Sequence, residues 1–320
     1  MKAIVVNQPG SANALEYQEI PKPQTKSGWS LIKIKGFGIN HSEIFTRQGV
    51  SPSVKFPRIL GIECVGIIEE TTEPDRLPIG QKVVSIMGEM GRDFDGSYAE
   101  YALLPNDQIY PIQTNLSWPI LASLPETYYT AYGSFLSLEI NEQDSILVRG
   151  ATSGVGVAFL KIVKGLFPQI KVTGTTRNPN KKETLLNTGF DEVIIDQNGE
   201  LDTTNTFSKT IDLIGPKSIK NSINHLDKHG IICSVGQLGN EWYLEDFDPI
   251  FELRDFKKLT SFYSGDVDDT LLNEIITMVE DGKIQDVKPE KVFKLEEIQQ
   301  AHQYLEDEKN SFGKVVVINE

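Results

Sequence analysis

Apolar positions along the chain switch from strand-like runs to helical spacing most sharply near residue 150. Ser145–Arg149 is a short run centred on Ile146, Leu147 and Val148. Val155, Ala158, Phe159, Ile162, Val163 and Leu166 then recur at i, i+3, i+4, i+7, i+8 and i+11, one face of a helix. A further run, Ile170–Thr176, predicts the next strand. Between the first strand and the helix lies Gly150-Ala151-Thr152-Ser153-Gly154-Val155-Gly156, a turn without bulky side chains. A strand, a small-residue turn and a helix N-terminus present backbone N–H groups and the positive end of a dipole, which suits a pyrophosphate. Ala151 and Ser153 stand where G-x-G-x-x-G has its first two glycines, so the motif is imperfect and its βαβ context carries the reading.

Elsewhere the pattern divides the chain. Ala3–Val6, Ser30–Ile34, Cys64–Ile68, Lys82–Ile86 and Ala99–Leu103 are short runs broken by Gly, Pro and Asp turns, which predicts a β-rich unit up to about residue 120. Val193–Ile195, Ile211–Ile214 and Ile231–Val235 lack alternation, as parallel strands buried on both faces do. Asn178-Pro179 reads as an N-cap with a first-turn proline, and Gly189 as a helix stop. Leu271–Glu280 and Leu295–Glu306 read as helices, and Lys314–Ile318 as a last strand that alternates well enough to rejoin the N-terminal β unit. The expected division is 1–120 with 266–320, and 121–265 as an inserted nucleotide-binding unit. Phe256–Ser264 would form an edge strand on that unit's far side, and an edge of this kind is commonly paired or covered.

With 39% hydrophobic residues over 320 positions, the chain has ample core for two domains. Its net charge of −14 and lack of long basic runs speak against nucleic acid and anionic membrane as partners. Met1–Val6 is too short for the apolar segment of a signal peptide, and no stretch reaches the length of a membrane span, so a cytoplasmic setting is expected. Cys64 and Cys233 sit in apolar runs and are expected buried and reduced.

The end of the βαβ unit bears on the nucleotide. NAD-selective sites place Asp or Glu about 20 residues after the glycines, against the ribose 2′-hydroxyl. Here that region is Thr175-Thr176-Arg177, with Lys181 and Lys182 following, and no carboxylate. Hydroxyls and a guanidinium suit a 2′-phosphate, which favours NADPH over NADH. The alternative is that Arg177 and the lysines form a solvated loop face. A one-residue shift of the loop would pass the role from Arg177 to Lys181 or Lys182.

The order of motifs resembles the medium-chain dehydrogenase/reductase superfamily, and within it the zinc-independent quinone oxidoreductase (zeta-crystallin-like) branch. The matching pieces run the length of the chain: Gly38-Ile39-Asn40 with Phe45, Arg47 and Gly49; Gly61-Ile62-Glu63-Cys64-Val65-Gly66; Gly96–Tyr101; Thr130-Ala131-Tyr132; Arg149–Gly156; Thr175–Arg177; Ile214-Gly215; Gly236–Gly239; and Gly313–Val317. The resemblance implies a doubly wound parallel-sheet (Rossmann) α/β domain with a β-rich GroES-like catalytic domain, and a homodimer paired across the edge strand. It also implies that Arg47, Ile214, Gly215, Gly236, Phe262 and Lys314 contact the cofactor beside the Gly150–Gly156 turn, Thr175, Thr176, Arg177 and Lys181. Arg47 has a competing reading, an ion pair with Glu43 one helical turn earlier.

Departures from the zinc enzymes of this superfamily matter equally. The first catalytic metal position is Asn40, the second is Ile62 and the third falls near Glu126; the structural set of four cysteines is missing. A catalytic zinc needs three protein ligands, so no metal is expected, and His41 beside Asn40 reads as a polar cleft residue. Without a metal to hold an alkoxide, a substrate must delocalise its own charge, as a quinone or an α,β-unsaturated carbonyl does. Phe45 replaces the family's cleft Tyr, which leaves Asn40, Thr130, backbone or water to hydrogen-bond the substrate. Phe45, Tyr128, Tyr132 and Trp242 are candidate walls for a flat ring. The competing functions are a trans-2-enoyl thioester reductase, against which Phe45 counts, and a low-turnover NADPH-binding sensor or crystallin-like protein.

Overall fold

A computed structural model describes residues 1–319. Its organising element is a seven-stranded sheet ordered Glu200–Leu201, Glu192–Gln197, Lys171–Thr176, Ser145–Arg149, Phe207–Asp212, Leu226–Ser234 and Lys258–Ser261. Neighbours are parallel except at the short Glu200–Leu201 edge. The order reverses between Ser145–Arg149 and Phe207–Asp212. That reversal is a switch point, and ligands of doubly wound sheets bind beyond the carboxyl ends of the strands beside it. The apolar runs became strands because each is buried on both faces, as Ile146, Leu147 and Val148 are. The expected strand Ile211–Ile214 stops at Asp212. Asp212 Oδ1 accepts the N–H groups of Ile214 and Gly215, which bends the chain away from the sheet.

The second architecture is antiparallel and centred on the long strand Trp29–Ile39. On one side it pairs with Glu63–Glu70, and on the other with Tyr101–Pro105 along its first half and Val315–Ile318 along its second. Lys291–Phe293 pairs with Val315–Ile318, so the last strand does rejoin the N-terminal β unit. Lys2–Val6 forms a small separate sheet with Glu16–Glu19 and Arg58–Ile59.

Helix Asp269–Glu280 touches both units, its Glu280 accepting from Thr114 and Asn115. It buries Leu272, Ile275, Ile276 and Met278 in the same core as Phe159, Ile162 and Val163 of the nucleotide-unit helix Gly154–Leu166. Its start is tied down by Tyr129, whose hydroxyl donates to Asp266 O at 2.8 Å and accepts from Asp268 N at 2.7 Å. The antiparallel sheet is rejoined at Lys291–Phe293. Cys64 and Cys233 are buried free thiols, each pushed up to about 12 by burial. Among the described residues no helix is long and apolar enough to cross a membrane.

Candidate functional site

The Gly150–Gly156 turn lies at the switch point. Gly150 adopts φ 82°, a left-handed conformation that suits glycine. Ser153 caps the helix, its hydroxyl accepting from Gly156 N at 3.1 Å. A Cβ at Gly156 would stand 2.8 Å from Gly150 O, so the helix packs on the turn only because residue 156 is glycine. Ala151 is fully buried and Thr152 O accepts from Gly313 N at 2.9 Å, while Val155 packs partly buried on the main core. Across the crevice, Ile214 and Gly215 turn on Asp212. A side chain at Gly236 would overlap the carbonyl of Leu213, so the two carboxyl-end loops run backbone against backbone.

The residues expected at a 2′-phosphate separate into different roles. Thr175 accepts Gly150 N on its hydroxyl at 3.2 Å, and the Thr176 hydroxyl bonds the backbone of Asn178. Both side chains are buried and support the turn and its neighbouring loop. Lys181 is also buried, donating to Ser311 O at 2.6 Å, and burial lowers its pKa. Arg177 alone of this set has an exposed guanidinium, paired with Glu308 at 2.9 Å.

Facing the turn from the other unit is a buried polar network. Lys314 Nζ donates to Glu63 Oε1 at 2.6 Å and to Asn40 Oδ1 at 2.7 Å, and Asn40 Nδ2 donates to Glu63 Oε1 at 2.8 Å. Glu63 Oε2 accepts the N–H of Glu126 at 2.8 Å, at the start of helix Pro125–Ser137. Glu126 Oε1 accepts from Thr130 at 3.1 Å and from Ser264 at 2.8 Å. Glu43 accepts Asn40 N and Ile62 N, closing a capping box on helix His41–Arg47. Burial, then the Glu63 charge, pushes Glu43 up to about 8 and Glu126 up to about 7. Lys314 is thus an ion-pair partner, its Nζ turned to the protein acceptors Glu63 and Asn40. Thr130 is buried, and its hydroxyl proton goes to Glu126.

Arg47 is not at the crevice. It is fully buried, donating to Gly10 O at 3.1 Å and to both oxygens of Glu306 at 3.1 and 2.6 Å, with His302 Nδ1 at 3.1 Å. Both sequence readings of Arg47 are corrected: it contacts neither a cofactor site nor Glu43, whose oxygens are used by backbone. His302 continues the chain of bonds to Tyr98 at 2.9 Å, and burial, with Arg47 alongside, lowers it to about 3, so it stays neutral. His41 is half-buried and also lowered by burial.

Aromatic residues bridge the two units. Phe45 meets Trp242 edge to face at 5.3 Å between ring centroids, which joins helix His41–Arg47 to the loop after Leu226–Ser234. Phe262 leans on Tyr129 at 5.5 Å, in space that a side chain at Gly133 would overlap. Tyr128 is buried core, while Tyr132 stacks on Phe135 at 6.0 Å and hydrogen-bonds Glu274. These two are packing residues rather than walls.

The donor set does not fit a catalytic zinc. Ile62 offers no donor atom, Asn40 is held by Lys314 and Glu63, and no group of three or more His, Cys, Asp or Glu among the described residues is placed to hold a metal. Sequence reasoning missed Glu43, Glu63, Ser264 and Glu308. Glu63 lay in a quoted motif, but nothing in a sequence marks a glutamate as buried.

Two family descriptions match the chain: an alcohol dehydrogenase GroES-like domain over residues 26–114, and a zinc-binding dehydrogenase over residues 188–317. A quinone oxidoreductase of Lama guanicoe is 26% identical over 99% of this chain and 97% of its own length. An acryloyl-coenzyme A reductase of Sulfurisphaera tokodaii is 26% identical over 99% of both. A mycobacterial protein solved in complex with NADPH superposes with TM-score 0.84 at 22% identity, covering all of both chains, and shows the shared fold.

Proposed function

The chain belongs to the medium-chain dehydrogenase/reductase superfamily, and from that premise we propose that it is an NADPH-dependent reductase of quinones or α,β-unsaturated carbonyls. One observation carries the reading. The Gly150–Gly156 turn stands at the switch point, and Gly313 links it directly to the segment that brings Lys314 to Asn40 and Glu63. The residues fit a dinucleotide. The turn and helix Gly154–Leu166 would take the pyrophosphate, Arg177 the 2′-phosphate, and Ile214, Gly215, Gly236 and Phe262 would flank the remainder. When bound, the nicotinamide supplies the hydride. The chain's part is to orient and to keep water out. Lys314 and Glu63 fix the Asn40 amide, and the Phe45–Trp242 contact closes one side of the crevice.

Mixing the protein with NADPH and either 9,10-phenanthrenequinone or an enoyl-CoA in a stopped-flow instrument tests the reading. Fast oxidation by the quinone supports it. Oxidation by the thioester alone would favour an enoyl-thioester reductase, a reading that the similarity to acryloyl-coenzyme A reductases supports. Tight NADPH binding without turnover would favour a sensor. We also propose a homodimer: Lys258–Ser261 has a neighbour on one side only, and Phe256 and Tyr263 beside it are 69% and 60% exposed. Sedimentation showing monomer alone at micromolar concentration would refute that.

A further inference from the structure

Among the described residues, Glu126 Oε2 is the one carboxyl oxygen that is buried without a hydrogen-bond partner. Buried polar atoms are nearly always paired, and the exceptions mark an absent water or ion or a chemical role. Its surroundings favour the last. The backbone N–H of Glu126 is given to Glu63, whose other oxygen holds Lys314 and Asn40. Its Oε1 accepts two hydroxyl protons, from Thr130 one turn on and from Ser264. Ser264 follows the carboxyl end of strand Lys258–Ser261, on the side of the sheet where such folds bind ligands. Glu126 therefore bridges the Asn40 side of the crevice to the nucleotide side. With Oε1 occupied by two donors, a proton on this carboxyl resides on Oε2, which then lacks only an acceptor.

We infer that Glu126 is a catalytic residue of this crevice, the general acid that passes its Oε2 proton to the substrate oxygen. The inference rests on the reading of the crevice as a site of hydride transfer. In the step, hydride from a reduced nicotinamide dinucleotide forms a C–H bond at the electron-poor carbon of an enone. The π electrons shift to the carbonyl oxygen, where an O–H bond forms as the Oε2–H bond of Glu126 breaks. The substrate gains a hydride and a proton, the nicotinamide is oxidised, and the carboxylate of Glu126 regains its proton from solvent.

The charges facing Glu126 suit that role. Glu63 lies beyond its N–H, with Glu43 behind; Lys314 comes from the last strand's approach, and Tyr129 is on its own helix. Burial and the Glu63 charge outweigh Ser264, Lys314 and Thr130 and leave the group near 7, where an acid is most useful at neutral pH. The acid form exists below that value, so the rate must fall as pH rises through it.

Single-turnover oxidation of bound NADPH by a cyclic enone, followed across neutral pH, tests the inference. The wild-type rate should fall with rising pH about a midpoint near 7. Glu126→Gln should lose that limb and slow the step by roughly 10²- to 10⁴-fold. NADPH affinity, read by fluorescence, should be unchanged, and Glu126→Asp should keep the limb. A readout independent of turnover is the infrared band of a protonated carboxyl, which should vanish as pH rises through the same midpoint and be missing in Glu126→Gln. A flat wild-type profile, or Glu126→Gln with the wild-type rate and limb, overturns the inference and leaves hydride transfer standing. A wild type that binds NADPH yet reduces neither quinone nor enone defeats the underlying reading and this step with it. Should Glu126→Gln fold poorly, the wild-type profile and the infrared titration decide.

Discussion

Lys314 Nζ rests 2.6 Å from Glu63 Oε1 because residue 38 has no side chain. A Cβ at Gly38 would overlap Lys314 Cε and the Glu63 carboxylate, both of which are buried. Gly38→Ala should therefore part the pair at a cost of about 3 kcal/mol, the scale for breaking a buried ion pair. Turnover should fall as Asn40 loses its anchor. Urea unfolding and initial rates check both, and an alanine tolerated in each would show that Lys314 has another place to go.

Arg47 should prove structural. Arg47→Ala removes the partner of Glu306 and His302 and should cost about 3–5 kcal/mol, toward the lower figure because the Glu306 side chain is 32% exposed. The folded fraction should bind NADPH as the wild type does. A well-folded variant with a selective loss of NADPH affinity would reinstate the cofactor role.

Arg177 should choose between cofactors. A charge-assisted hydrogen bond contributes roughly 1.5–3 kcal/mol. The Arg177 side chain is 65% exposed, so the lower end applies, and Arg177→Ala should weaken NADPH by about tenfold. NADH affinity should barely change. Equal losses for both, measured by titration, would mean that Arg177 acts on shared atoms or on the fold.

Phe262 and Gly133 should be coupled. Gly133→Ala would drive a methyl into the Phe262 ring and displace it from Tyr129. Adding Phe262→Ala should recover part of the lost stability, because the smaller side chain vacates the contested space. Strict additivity in the double variant would argue against contact.

Stability should fall as pH rises from about 6.5 to about 8. Glu43 and Glu126 have folded-state values raised to about 8 and about 7 from an ordinary 4.5. Their contribution is complete below 4.5 and is lost as pH climbs through the raised values. His302 opposes them below its ordinary 6.5, because there the unfolded chain takes up a proton that the buried ring refuses. Above that point the carboxyls act with no such opposition. Urea midpoints across the window measure the slope, and a flat or rising line would contradict the burial of these acids.

The nucleotide unit was legible because its strands are apolar on both faces and its helix keeps one period from Val155 to Leu166. The polar half of the site was not. Glu43 stood only as a possible partner of Arg47, Glu63 as one residue of a motif and Glu126 as the place of a missing metal ligand, since periodicity reports depth only for apolar residues. Arg47 was read as a cofactor contact or a partner of Glu43, whereas its partner Glu306 lies 259 residues away. Asn40 and Phe45 were found through the resemblance, and Thr175 through its place after the glycines, yet its hydroxyl serves the turn.

The stretch from Asp307 to Lys314 has a consequence for exchanging modules. It meets Arg177 through Glu308, Lys181 through Ser311 and Thr152 through Gly313, all in the nucleotide unit, before Lys314 reaches Asn40 and Glu63. By sheet pairing its continuation belongs to the other unit. A chimera that imports a relative's nucleotide unit at the obvious seams would leave this stretch behind, facing a surface it was not selected against. Grafts should therefore carry residues 307–314 with the donor unit, together with a lysine-compatible glycine at position 38 in the recipient.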